Sequence, residues 1–178
     1  VAGPDESNRQ IIHETIQESI MNVKHLLVAL AAAATVAHAA DTPGSNPSAP
    51  PPPTVTERMT EARKAIQAQD WRRALSELNA AARVEPRNAD VHNLLGYSYR
   101  KQATPDITKA FEHYYIALRL DPKHKGAHEY IGQAYLMEKR PEEAQKHLTQ
   151  LEAICGNKTC EEYADLAKAM AEYKARNK

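Results

Sequence analysis

The stretch Asn93-Leu94-Leu95-Gly96-Tyr97-Ser98-Tyr99 returns 36 residues later as Glu129-Tyr130-Ile131-Gly132-Gln133-Ala134-Tyr135. An aliphatic residue, a glycine and a tyrosine recur in register: Leu95 with Ile131, Gly96 with Gly132, and Tyr99 with Tyr135. A second segment obeys the same shift of 36, with Ala81-Ala82-Arg83-Val84-Glu85-Pro86 followed by Ala117-Leu118-Arg119-Leu120-Asp121-Pro122. Ala74, Ala110 and Ala144 are spaced by 36 and 34. Self-similarity at this period marks supersecondary units that bury their apolar faces by stacking on one another. Gly96 and Gly132 fall in the middle of helical patterns, where Gly costs about 1 kcal/mol against Ala. That cost implies close helix–helix approach with no room for a side chain.

Three units follow. The first runs from Val55 to Asn88, with Glu61-Ala62 at the aliphatic–glycine position and a clearer second helix carrying Ala74, Leu78, Ala81 and Pro86. The second runs from Ala89 to His124 and carries Leu95, Gly96, Tyr99, Ala110, Tyr114, Ala117 and Pro122, with two extra residues in its turn around Gln102 to Pro105. The third runs from Lys125 to Lys158 and carries Ile131, Gly132, Tyr135, Ala144, Leu148 and Leu151, with Gly156 in place of the closing proline. Local signals mark the helix starts. Thr54-x-x-Glu57 reads as a capping box, Asp70 and Asn88 as N-caps, and Pro105 and Pro141 as first-turn prolines. A last helix is expected from Thr159 to about Arg176, opened by a Thr159-x-x-Glu162 capping box. Its apolar stripe of Tyr163, Leu166, Ala167, Met170 and Tyr173 suits a helix that covers the exposed end of the stack.

This pattern resembles the tetratricopeptide repeat (TPR), a helix–turn–helix unit of about 34 residues. The resemblance covers residues 55–158 and implies an all-α fold: a right-handed α-solenoid of three TPR units, with 159–178 as a C-terminal capping helix. It also implies a concave groove lined by the first helix of each unit. Carried over by position, unit one contributes Thr56, Met59, Arg63, Ile66 and Gln67; unit two contributes Asp90, Asn93, Tyr97, Arg100 and Lys101. Unit three contributes Gly126, Glu129, Gln133, Leu136 and Met137. Of these, Arg63, Asn93, Tyr97, Arg100, Lys101, Glu129 and Gln133 form the candidate peptide-binding groove. The basic and aromatic members suit an extended peptide or an acidic tail. The chaperone-tail clamp of related cytosolic proteins uses Lys and Asn at positions where this chain has Met59 and Arg63, so that particular function does not carry over.

Composition limits the other function classes. The chain has 23 basic and 23 acidic residues, which removes the bulk-charge argument for a nucleic-acid partner. No nucleophile elbow, phosphate loop, H-E-x-x-H pair or dinucleotide fingerprint occurs, so no enzyme, cofactor or metal is expected. The partner expected is a protein or peptide.

Met21-Asn-Val-Lys24 followed by the uncharged run Leu26 to Val36 and by Ala37-His38-Ala39 reads as a signal peptide over 21–39, cleaved after Ala39. The apolar run is shorter than the ~20 residues a membrane-spanning helix needs. No stable membrane insertion is therefore expected after cleavage, and the location expected is periplasmic or secreted. Residues 1–20 precede the start of that signal and read as a non-native upstream extension. Residues 40–54 read as a proline-rich linker.

Cys155 and Cys160 flank Gly-Asn-Lys-Thr at the junction of unit three and the capping helix. In an oxidising compartment a disulfide there would tether the two, contributing roughly 2–3 kcal/mol at most because the loop is short. A redox-active or metal-holding role for this pair, or for the histidines, is the alternative function. His124 and His128 stand at i, i+4, a spacing that can bind a transition metal. Repeat register accounts for His92 with His128 and for His113 with His147.

Overall fold

The computed structural model describes residues 51–177, and the expectations for 1–20, 21–39 and most of the 40–54 linker lie outside them. Pro51 to Thr54 carry no regular secondary structure and are exposed, and Thr54 has extended backbone. Seven helices follow among the described residues: α1 (Val55–Gln67), α2 (Trp71–Val84), α3 (Ala89–Lys101), α4 (Ile107–Leu120), α5 (Lys125–Met137), α6 (Pro141–Cys155) and α7 (Glu161–Arg176). They pair as α1/α2, α3/α4 and α5/α6, each pair packs on the next, and α7 packs on both α5 and α6. No helix among the described residues is long and apolar enough to cross a membrane.

Local chemistry sets most helix starts. Thr54 and Glu57 form the reciprocal capping box at α1. Asp70 accepts from the Arg73 N–H at α2, and Asn88 from the Val91 N–H at α3. Each satisfies a backbone donor that has no partner inside its helix. Pro141 takes the first position of α6, where its missing N–H is harmless. Two starts differ from expectation. Pro105 lies outside α4, because Asp106 takes the N-cap and accepts from the Lys109 N–H. Thr159 does not cap α7. Its N–H and hydroxyl both bond Asn157 Oδ1, Cys160 becomes the N-cap, and no side chain caps the helix.

The turns inside the units are closed alike. Ala65 O accepts the Asp70 N–H in unit one and Tyr135 O accepts the Arg140 N–H in unit three. In unit two Tyr99 O accepts the Asp106 N–H, so the two extra residues loop out without altering the closure. Units one and three pass through left-handed backbone at Gln69 (φ 55°) and Lys139 (φ 57°).

Two apolar clusters run through the stack. Met59, Ala62, Leu78, Ala81, Val91 and Leu95 join units one and two; a larger cluster around Tyr114, Ile131, Tyr135, Leu151 and Leu166 joins units two and three to α7. Tyr99 packs against both. The mid-helix glycines are steric necessities. A Cβ on Gly96 would stand 2.5 Å from the Tyr114 ring and 3.0 Å from Ala110 O; one on Gly132 would stand 2.6 Å from Leu166 of α7. Ala62, fully buried, is the small residue of unit one.

The disulfide between Cys155 and Cys160 is formed, linking the end of α6 to the start of α7. Gly156 ends α6 in left-handed backbone (φ 68°), the conformation that Gly adopts most readily.

Candidate functional site

The first helices α3 and α5 lie side by side, and the groove residues of units two and three meet between them. Tyr97 of α3 faces Tyr130 of α5 with ring centroids 4.7 Å apart, and Trp71, the first residue of α2, meets the Tyr97 ring edge-on at 6.2 Å. The Arg100 guanidinium lies 5.5 Å from the Tyr97 centroid and 5.7 Å from that of Tyr130. Its Nε–H donates to the Tyr114 hydroxyl at 3.2 Å. Arg100 is only 7% exposed. It is therefore not the freely exposed groove cation that its position suggests. It ties α3 to α4 and holds two tyrosine faces together. Burial keeps the Tyr114 hydroxyl protonated, well above the usual phenol range.

Asn93 is 6% exposed, and its buried Oδ1 has no hydrogen-bond partner among the described residues. A Cβ on Gly126 would stand 3.1 Å from its Nδ2, so Asn93 packs against the first turn of α5. One turn further along α5, Glu129 is 7% exposed and accepts from Gln133 Nε2 at 2.9 Å. Burial is the main cause that lifts its carboxyl to about 7; Asp165, Glu162 and Glu161 add to the rise and Arg100 opposes it.

The structure thus links Asn93, Tyr97, Arg100, Glu129 and Gln133 across the α3/α5 seam. Arg63 and Lys101 are exposed at other points of α1 and α3. Three further contributors emerge. Tyr130 and Trp71 complete the aromatic row, and α7 walls the groove: a cleft of about 210 Å³ has Arg100, Gln133 and Leu136 on one side and Glu172, Tyr173 and Arg176 on the other. The sequence signal for α7 was its apolar stripe, which identifies a packing face but not which groove its edge enters. A larger cleft of about 600 Å³ lies between α6 and α7, with Pro141, Leu148, Met170 and Tyr173 in its lining.

The histidines among the described residues make structural contacts. His92 Nε2 is 3.0 Å from Pro86 O and must donate to it, which leaves His92 Nδ1 to accept from His113 Nδ1–H at 3.1 Å. Unit three repeats the arrangement: His128 Nε2–H donates to Pro122 O at 3.0 Å, and His128 Nδ1 accepts from His147 at 2.9 Å. Burial, then the partner histidine, holds His113 and His147 down at about 4. His124 caps α5 through Nδ1 and donates from Nε2 to Asp90 at 3.0 Å. The i, i+4 pair therefore has all four ring nitrogens engaged. Cys155, Cys160 and Glu162 lie close together, but both sulfurs are in the disulfide and offer no thiolate to a metal.

A sequence comparison with curated proteins found no match. The tetratricopeptide-repeat family model matches residues 59–124. Among solved structures, the Arabidopsis OM64 TPR domain aligns with a TM-score of 0.59 at 14% identity, over 67% of this chain and 96% of that one. The TPR2B domain of yeast Sti1, in complex with pHsp70, aligns with a TM-score of 0.61 at 14% identity, over 69% and 98%. The first TPR of Spaghetti (RPAP3), bound to the HSP90 peptide SRMEEVD, aligns with a TM-score of 0.59 at 14% identity, over 68% and 94%. The repeat register, the glycine contacts, the stacked helix pairs and these likenesses agree: the described part of this chain is an all-α solenoid of three helix–turn–helix units closed by a capping helix, and its residues 59–124 match the tetratricopeptide repeat.

Proposed function

We propose that this protein is a periplasmic adaptor that holds an extended segment of a protein partner in the groove along α3 and α5. The observation that carries the reading is the partly exposed Tyr97–Tyr130 aromatic pair between α3 and α5, with Trp71 at its edge. Such aromatic faces supply rigid contact area to a bound segment. Peptide complexes of fold relatives, pHsp70 with Sti1 and SRMEEVD with RPAP3, support a binding role for this architecture. The periplasmic location draws on the signal-like segment 21–39 and on the Cys155–Cys160 disulfide, a bond typical of oxidising compartments.

Affinity capture from the native envelope fraction tests the groove, with Tyr97→Ala as the variant. Tyr97 is partly exposed and Arg100 is buried, so the single change spares the Arg100–Tyr114 bond. The variant is expected to melt normally and to lose most of the captured partner. Undiminished capture by a folded Tyr97→Ala protein would move the site elsewhere. Mass measurement of the secreted chain tests the location, with an N-terminus at Ala40 expected.

A further inference from the structure

Helix α7 repeats the register of the first helices. Tyr163, Leu166, Ala167 and Met170 keep the spacing of His92, Leu95, Gly96 and Tyr99 in α3 and of His128, Ile131, Gly132 and Tyr135 in α5. Leu166 is fully buried, as Leu95 and Ile131 are. In units two and three this register faces the second helix of the same unit. Gly96 lies against the Tyr114 ring, Tyr99 stacks on His113 at 5.6 Å, and Tyr135 stacks on His147 at 5.6 Å. No second helix covers α7 among the described residues. Ala167 and Met170, which stand where Gly96 and Tyr99 stand, line the 600 Å³ cleft between α6 and α7 together with Leu148, Ala171 and Lys174. The cleft is thus the place that a second helix would take in a fourth unit, beside α7 and against α6.

The second helices of this chain show what face fits such a place. Each presents a small residue and then a large one four positions on: Ala74 and Leu78, Ala110 and Tyr114, Ala144 and Leu148. These side chains are already buried within their own stack, so a second copy has no described helix of this kind to lend. Apposing the clefts of two copies would also bring two Lys174 ammonium groups together. Lys174 is the one charged residue in the lining, is exposed, and makes no ion pair among the described residues. It lies near the C-terminal end of α7. A helix running back along α7, as α6 runs back along α5 after a short turn, would start beside it. Acidic residues suit that first turn twice over, through Lys174 and through the helix dipole. The first turn of α6 carries Glu142 and Glu143.

We propose that the α6/α7 cleft is a second docking site, separate from the α3/α5 groove, and that its occupant is an amphipathic helix of a partner protein. That helix has an acidic first turn and an Ala-x-x-x-Leu face, and it completes a fourth unit in trans.

Fluorescence anisotropy on the full chain tests this with two labelled peptides. One is RPEEAQKHLTQLEAI, which copies residues 140–154, and the other carries Glu142→Lys and Glu143→Lys. The acidic peptide is expected to bind and to gain helical circular dichroism, and the lysine peptide to bind roughly threefold or more weakly, the size of a partly exposed charge effect. Lys174→Glu should reverse that preference. Ala171→Arg fills the cleft from an exposed position and should cost roughly tenfold or more in affinity. Tyr97→Ala should change nothing. Failure of both peptides to bind overturns the proposal, as does equal affinity for the two or affinity that Ala171→Arg leaves intact. Loss of binding with Tyr97→Ala would place the peptide in the α3/α5 groove and overturn it too. Sedimentation showing a dimer that Ala171→Arg breaks would give the cleft to a second copy. A photo-cross-link from an analogue at Ala171 to a residue before Pro51 would give it to this chain's own leading segment. Either result overturns the partner helix.

Discussion

Units two and three share a scaffold and differ in the surface they present. Both have the mid-helix glycine, and both have a histidine pair whose first member donates to the carbonyl of a closing proline, at Pro86 and Pro122. Yet α3 brings Asn93, Tyr97 and Arg100 to the groove while α5 brings Glu129, Gln133 and Leu136. Positions that hold the stack together are repeated, and positions that face the groove diverge. On the proposed function, this division separates packing from recognition within one chain.

The glycines offer the most disruptive way to probe the shared part. Gly96→Ala drives a Cβ into the Tyr114 ring and the Ala110 carbonyl, neither of which can retreat within α4. A loss of about 2–3 kcal/mol is expected in chemical denaturation, at the upper end for overpacking. For Gly132→Ala the three nearest atoms all belong to the Leu166 side chain, on a terminal helix that can shift, so about 1 kcal/mol is expected, with hydrogen exchange loosened mainly in α7. Equal losses would show that the two glycines occupy equivalent environments after all.

Cys155→Ser with Cys160→Ser should cost about 2 kcal/mol, the entropy of a short closed loop. Exchange should quicken in α7 and the end of α6 and leave α1 to α4 protected, because each unit of a solenoid leans on its neighbours.

The histidine pairs and Glu129 predict opposing pH responses. His113 and His147, at about 4 in the folded chain against an ordinary 6.5, contribute stability that is present above 6.5 and lost as pH falls toward 4. Glu129, at about 7 against 4.5, contributes stability that is present below 4.5 and lost as pH rises through 7. Glu129→Gln removes the second response. The variant should gain on the parent as pH rises to 8 and fall more steeply on acidification from 6.5 to 4.5. A melting-temperature series across that range checks it, and parallel curves would contradict it.

The smallest effect concerns the turns. Lys139→Gly relieves left-handed backbone and adds unfolded-state freedom, two terms of opposite sign. A net gain of no more than about 1 kcal/mol is expected, and the unit-two loop has no equivalent site among the described residues.

Much of this was legible in the sequence because the signals are local or periodic. Thr54, Asp70 and Asn88 cap helices that begin within three residues of them, and the glycine register needs only a shifted comparison of the chain with itself. Thr159 satisfied the same local rule, but Asn157 competed for its donors. Arg100 read as a groove cation because the hydroxyl that holds it lies 14 residues away on another helix. The burial of Glu129 depends on how α7 returns along α5, and spacing along the chain does not encode that approach.

Site-directed photo-cross-linking tests the central claim most directly. A photoreactive phenylalanine analogue replaces Tyr97 in the groove in one protein and the exposed Tyr115 of α4 in another, each irradiated in the native envelope fraction. A discrete adduct from position 97 and none from position 115 is the result expected. An adduct from 115 with none from 97 would contradict the assignment of the α3/α5 groove as the binding site.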